Sequence, residues 1–265
     1  MATFELEARL NNLLSTTQAE TADIDLFAPI PLREECPICM LPLPFDENEI
    51  AFMTCCGKNI CCGCIDQNTL TDIIKNGLKP NEMKCIFCRR LQSDLDYDLK
   101  CLRKLMKKNE PYAFLMMAAR YESGNGVIQS HTKQLEMIIC AAEFGNAHAF
   151  EYIGNNYFQG TAVDQDMSKA LEFYEVAAKK GSLEAHKELA RFHKRSGNVA
   201  EGIKHSKVVA SAGDKDAMDS LMSAYGYKLL SKEDLAQTLR AHQASNDLMK
   251  SKDRDHARVV SNHQH

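Results

Sequence analysis

Cys36-Pro37-Ile38-Cys39, Cys55-Cys56-Gly57, Cys61-Cys62-Gly63-Cys64 and Cys85-Ile86-Phe87-Cys88 are the groups on which the reading of this chain turns. Three of the four contain a C-x-x-C pair, the spacing that lets one tight turn offer two sulfurs to one metal ion. The first histidine of the chain is His131, so a metal site in this stretch is all-cysteine. With Cys55 and Cys56 taken as a pair, Cys36, Cys39, Cys55, Cys56, Cys61, Cys64, Cys85 and Cys88 supply four ligands to each of two tetrahedral ions, and Cys62 is left over. Four thiolates in a tetrahedron suit zinc. The even split into two fours lacks the closely packed run of a ferredoxin-type iron–sulfur site. Pro37, Gly57 and Gly63 supply turns that bring neighbouring sulfurs together and aim backbone N–H groups at them. The alternatives are a buried apolar set or disulfides, and disulfides would require an oxidising compartment that nothing in the sequence suggests. The order of the four pairs allows a sequential or an interleaved division between the two ions.

Composition narrows the function class. A chain of 265 residues, 45% hydrophobic, suits two small domains. The net charge of −4 provides no global basic field for nucleic acid or a membrane surface. No apolar run approaches the ~18 residues of a membrane span, and the N-terminus lacks a signal-peptide pattern. The expectation is an intracellular protein, cytoplasmic or nuclear, with no membrane partner. Leu95, Leu99, Leu102, Leu105 and Met106 predict an amphipathic helix in a connecting segment, residues 91–110, packed between two domains. Lysines and arginines surround it, but residues 1–109 carry 13 Lys/Arg against 16 Asp/Glu and interleave no aromatic platform, so no nucleic-acid partner is expected.

Residues 1–33 read as a leader and linker. Phe4, Leu6, Leu10, Leu13 and Leu14 fit one short amphipathic helix ahead of Pro29-Ile30-Pro31, either a frayed leader or a helix that binds a partner. Within residues 34–90, Ile65 to Lys75 reads as a helix stopped near Asn76-Gly77 and Pro80.

The second half repeats itself. Ala113, Ala149, Ala185 and Ala217 open equivalent helices at steps of 36, 36 and 32 residues, and Tyr121, Tyr157, His193 and Tyr225 follow eight residues later. Gly145, Gly181 and Gly213 close the partner helices as C′ residues. A period of this length, built from paired helices, predicts an α-solenoid over residues 111–230. The third repeat is four residues short in its turn. His193 occupies a tyrosine position and reads as a packed core residue, and Cys140, beside Ala141 on an apolar face, as inert. Ser231 N-caps a closing helix over residues 231–250, with Leu235, Leu239, His242 and Leu248 as its inner face. Residues 251–265 are polar and read as a disordered tail.

Two resemblances sharpen this. Residues 34–90 resemble the RING finger family in its all-cysteine form. Gly57-Lys58-Asn59-Ile60-Cys61 is similar to that family's Gly-x-x-apolar-Cys stretch, with Lys58 where a histidine ligand commonly sits. The resemblance implies an interleaved ligand set: Cys36, Cys39, Cys61 and Cys64 on one zinc, Cys55, Cys56, Cys85 and Cys88 on the other. It also implies a groove for a ubiquitin-conjugating enzyme around Ile38 and Leu70. Arg89 would bridge that enzyme and ubiquitin, and no residue would act covalently. The chain departs from the active pattern in having no tryptophan, and Ile86 where many active members have proline. Residues 111–226 resemble Sel-one-like repeats, relatives of the tetratricopeptide repeat. The run Tyr157-Phe158-Gln159-Gly160-Thr161-Ala162-Val163-Asp164, with Lys169-Ala170, Tyr174, Ala177-Ala178 and Gly181, carries that pattern best. The expected fold is therefore a small zinc-stabilised α/β RING module followed by an all-α solenoid of helix-turn-helix repeats. The function these resemblances imply is a RING-type ubiquitin ligase whose solenoid recruits a protein substrate or adaptor. The alternative is a non-catalytic zinc-binding interaction scaffold.

Overall fold

A computed structural model of the chain describes residues 2–31, 33–44, 49–77, 84–88 and 95–251. It divides into two compact units, Leu32–Ala113 with Asp247–His265, and Met1–Pro31 with Phe114–Asn246.

The first unit holds the cysteine groups. Strands β1 (Ile50–Met53) and β2 (Lys58–Cys61) form an antiparallel hairpin in which Ile50 faces Cys61 and Met53 faces Lys58. Its turn is tied by the Cys56 and Gly57 N–H groups, which both donate to the Met53 carbonyl at 3.0 and 2.7 Å. Helix α2 (Cys62–Asn76) follows β2 without a break, three residues earlier than the apolar pattern predicts. It ends where expected, at Gly77, whose φ of 63° only glycine adopts readily. Among the described residues, the buried cluster beneath the hairpin consists of Cys36, Leu43, Ile60, Cys61 and Cys64. Three of those five are cysteines, so little apolar surface is available to hold the module together. Helix α3 (Leu95–Met106) buries Leu99 and Leu102, with Asp96 and Asp98 in its first turn and Arg103 and Lys104 in its last, matched to the helix dipole. Inside this unit its Asp98 carboxylate accepts a hydrogen bond from Thr54, and Leu105 packs on Gly57.

The second unit is helical. After α4 (Pro111–Ser123) come α5 (His131–Glu143), α6 (Ala147–Gln159), α7 (Met167–Lys179), α8 (Leu183–Arg195), α9 (Val199–Ser211), α10 (Lys215–Gly226) and α11 (Lys232–Met249). Side-chain oxygens of Ser130, Asn146, Asp166, Ser182, Asp214 and Ser231 cap helix N-termini by accepting backbone N–H bonds. Gly145, Gly181 and Gly213 take φ of 86°, 93° and 103° just after α5, α7 and α9. The expected short turn is present: residues 196–198 join α8 to α9, against 124–130 and 160–166 in the two earlier hairpins. Tyr157, Phe150, Phe173, Ile153, Leu135 and Leu189 fill the layer between helices. Helices α6 and α7 approach so closely at Gly154 that a Cβ there would stand 2.7 Å from the Tyr174 ring.

The leader is a helix, seated on the repeats rather than frayed. Residues Ala2–Glu20 form helix α1, which packs on α5 and α7 and buries Leu6, Leu10, Leu14 and Thr17, with Thr21 buried just after it. Thr17 and Thr21 lie at that face because each hydroxyl donates to the carbonyl four residues earlier, at 2.8 Å. The inner face of α11 differs from its expected form. Leu235 packs on the core, Thr238 is buried, and His242 and Ser245 hydrogen-bond the Ala210 and Ala212 carbonyls at 2.8 Å. Leu239 and Leu248 are exposed, because the inner stripe runs through 235, 238, 242 and 245 rather than through those two leucines. The expected tail falls on residues 252–265, outside the described residues. No described helix is long and apolar enough to cross a membrane.

Candidate metal centre

Each cysteine pair sits where local structure holds its sulfurs together. Cys36 and Cys39 lie on a turn closed by Met40 N–H to Cys36 O at 2.9 Å and Cys36 N–H to Leu41 O at 2.8 Å. Cys55 and Cys56 occupy the β1–β2 turn, Cys61 ends β2, Cys64 lies in the first turn of α2, and Cys85 precedes and Cys88 closes the turn at 86–88. The structure gathers these into two groups, Cys36, Cys39, Cys61 and Cys64, and Cys55, Cys56, Cys85 and Cys88, with the sulfurs of each group all within 4.8 Å of one another. First and third pairs meet, as do second and fourth. The interleaved arrangement follows from the hairpin: β2 spans roughly 10 Å at ~3.3 Å per residue, with one group at its turn and the other at its far end.

The spacing can be tested against zinc. A Zn–S bond of about 2.3 Å in a tetrahedron sets neighbouring sulfurs about 3.8 Å apart. The Cys39–Cys61, Cys55–Cys56 and Cys56–Cys85 sulfurs stand at 3.8, 3.7 and 3.6 Å. A disulfide needs about 2.05 Å, and no disulfide joins the described cysteines. The donor set and its dimensions fit a four-thiolate zinc ion at each group.

Electrostatics points the same way. Burial pushes the Cys36 thiol up, but backbone N–H groups of Cys39, Cys61 and Ile38 aimed at its sulfur bring it down to about 7. Cys85 follows the same pattern: burial raises it, and the N–H groups of Cys88 and Phe87, with hydrogen bonds from Cys55 and Cys56, lower it to about 7. Burial and neighbouring sulfurs push Cys55 and Cys64 far up, and Cys56 up to about 11. Cys36 and Cys85 are therefore the thiols readier to ionise, whereas Cys64 in the first group, and Cys55 and Cys56 in the second, resist until a cation neutralises the cluster. Burial differs between the groups: Cys36, Cys61 and Cys64 are buried, whereas Cys88 is exposed.

The other residues singled out by sequence are placed as follows. Cys62 belongs to neither group. Lys58 is exposed and lays its ammonium 4.4 Å from the Phe87 ring centroid, tying the hairpin to the last cysteine turn. Ile38 is 40% exposed beside Cys39, Leu70 lies on α2, and Arg89 is outside the described residues. Cys140 accepts a hydrogen bond from Arg9 at 3.3 Å. His193 is half-buried and stacks on His205, with centroids 5.6 Å apart. His205 and His186 were not anticipated; both are buried, with their Nδ1 atoms 2.9 Å apart. A signal for them exists in the repeat alignment, since His186, His193 and His205 stand in the third repeat where the second has Phe150, Tyr157 and Phe173.

No protein-family model matches the chain. No curated protein matches it either. Among solved structures, a Sel1 repeat protein from Oxalobacter formigenes aligns at 23% identity and a TM-score of 0.47, over 70% of this chain and 71% of that one. The protective antigen c5321 of uropathogenic Escherichia coli strains, displaying an SLR fold, aligns at 24% identity and a TM-score of 0.47. That match covers 68% of this chain and 38% of the antigen. The repeat architecture rests on the helical hairpins of this chain itself.

Proposed function

We propose that this chain is a protein–protein interaction scaffold in which two structural zinc ions fold the cysteine-bearing unit and the helical repeats receive a protein partner. The observation that carries this reading is the pair of four-sulfur groups at tetrahedral spacing, each closed by its own turns. Four protein ligands leave no open position for substrate, so the metal is structural and not a Lewis acid. Stacked helical hairpins offer extended side-chain surface for a protein partner. Metal analysis of the native protein tests it: two zinc ions per chain are expected, Cys55→Ser should lose one, and Cys62→Ser should keep both. Fewer than two ions in the native protein, or loss on Cys62→Ser alone, would refute the ligand assignment.

One observation favours a second reading, a RING-type ubiquitin ligase. The meeting of first with third and second with fourth cysteine pairs is the arrangement that the RING resemblance implies. In that reading Ile38, Leu70 and Arg89 contact a ubiquitin-conjugating enzyme, the repeats hold a substrate or adaptor, and rate enhancement comes from positioning alone. Incubation with activating enzyme, a panel of conjugating enzymes and ubiquitin would then give polyubiquitin chains, weakened by Arg89→Ala. Zinc-loaded, folded protein that gives no chains across the panel leaves the scaffold.

A further inference from the structure

Helix α1 meets the repeats through charges set at specific places as well as through leucines. The Glu7 carboxylate accepts from the Lys169 ammonium at 2.8 Å and from the Tyr157 hydroxyl at 3.1 Å. Lys169 also lies 5.1 Å from the Tyr157 ring centroid, so phenol and ammonium form one receptor for an acid. Two residues further on, the Arg9 guanidinium grips both oxygens of Glu143 on α5, at 2.7 and 2.5 Å. Leu6, Leu10 and Leu14 go down between α5 and α7 on the same face. The groove thus specifies a helix: an acid, a base two positions later, and leucines four residues apart.

Two features allow this helix to act as an exchangeable occupant rather than part of the ladder. Its ion pairs are partly exposed, Lys169 at 29% and Glu7 at 32%, and such pairs hold weakly. The Tyr–Lys receptor is itself repeated. Tyr121 and Lys133 form the same pair one hairpin earlier, with the ammonium 5.7 Å from the ring, and among the described residues no carboxylate joins them. In the third repeat the equivalent positions are His193 and Glu201, so the receptor ends there. A partner therefore has an acid contact to gain that α1 does not use.

We infer that the α5–α7 groove is the docking surface for an amphipathic helix of another protein with α1-like chemistry, and that α1 fills it in cis until displaced. This rests on the reading of the repeats as a protein-binding surface, and names the surface and the ligand. The test uses the full-length, zinc-loaded chain carrying Glu7→Lys and Leu10→Asp, with hydrogen exchange over residues 2–20 reporting release of α1 and circular dichroism reporting intact hairpins. A labelled synthetic peptide of residues 2–20 should bind this variant at least tenfold more tightly than the unmodified chain. Adding Lys169→Glu should weaken binding at least tenfold, and a peptide carrying Glu7→Lys should restore it. The inference is overturned if the peptide ignores the released variant, binds the unmodified chain equally, or is indifferent to Lys169→Glu. It is also overturned if the unmodified chain forms dimers by exchanging α1, which assigns the groove to a second copy. Each of these outcomes leaves the zinc count, and with it the scaffold reading, untouched.

Discussion

Acid should weaken the helical unit through its third repeat, and restoring the aromatic residues of the second repeat should remove most of that weakness. His186 is held down to about 3, first by burial and then by the charge of His205, against the pull of the Ala178 carbonyl. His205 is held down to about 4, first by burial and then by His193, with Lys204 adding to this and Glu201 opposing it. The Phe27 ring closes the site at 5.0 Å from His205. The Nδ1–Nδ1 bond itself needs one ring to accept, so it is lost if both become imidazolium. In the unfolded chain both histidines titrate near 6.5. Between that value and the depressed folded ones the unfolded state binds more protons, so stability is full above about pH 7 and falls as pH drops through 6.5 toward 4. At pH 5 each histidine costs about 2 kcal/mol, at ~1.4 kcal/mol per pH unit, and the pair about 4 kcal/mol. For a unit of this size that is a fall in Tm of roughly 10 °C. Urea unfolding followed by helical circular dichroism at pH 7.5, 6.5, 5.5 and 5.0 measures it. His186→Phe with His205→Phe should remove most of this pH-dependent loss, leaving only what other groups contribute. Equal losses for the double variant and the unmodified protein would refute the assignment of the acid sensitivity to these two rings.

Metal removal and a packing change test the two units separately. A strong zinc chelator should abolish hydrogen-exchange protection across Ile50–Cys61, because the core beneath the hairpin is too small to hold it, while protection in α6 and α7 persists. Retained protection in the hairpin would show that apolar packing suffices. Gly154→Ala should destabilise the helical unit by about 1–3 kcal/mol, since the new methyl group overlaps Tyr174 and the rigid ring must shift. A neutral effect in urea unfolding would contradict the close crossing of α6 and α7.

The cysteine pairs and the repeats were legible because both are local signals. A C-x-x-C turn and a 36-residue period are written in neighbouring residues, and even the four residues missing from the third hairpin could be placed. The pairing of cysteine groups was open on spacing alone, because it is set by a four-residue strand, β2, whose two ends lie apart. The docking of α1 was not legible. Leu6, Leu10 and Leu14 announce an apolar face, but the surface that accepts it is built from α5 and α7, more than a hundred residues away in the chain. Leu239 and Leu248 misled for a related reason: the stripe through Thr238, His242 and Ser245 is anchored to carbonyls at the end of α9, and hydrophobicity does not report that. The buried histidines were hidden because each helix, read singly, places a polar residue where a polar residue is unremarkable. Only superposing the repeats shows imidazoles standing in an aromatic layer.

That substitution changes how such a stack of hairpins comes apart. Where every rung leans only on its neighbours, strength at the ends ordinarily decides where fraying begins. Here the rung that protons weaken is an interior one, with two hairpins before it and one after. Acid would split the stack from the inside, parting its first half from its last before either end has loosened.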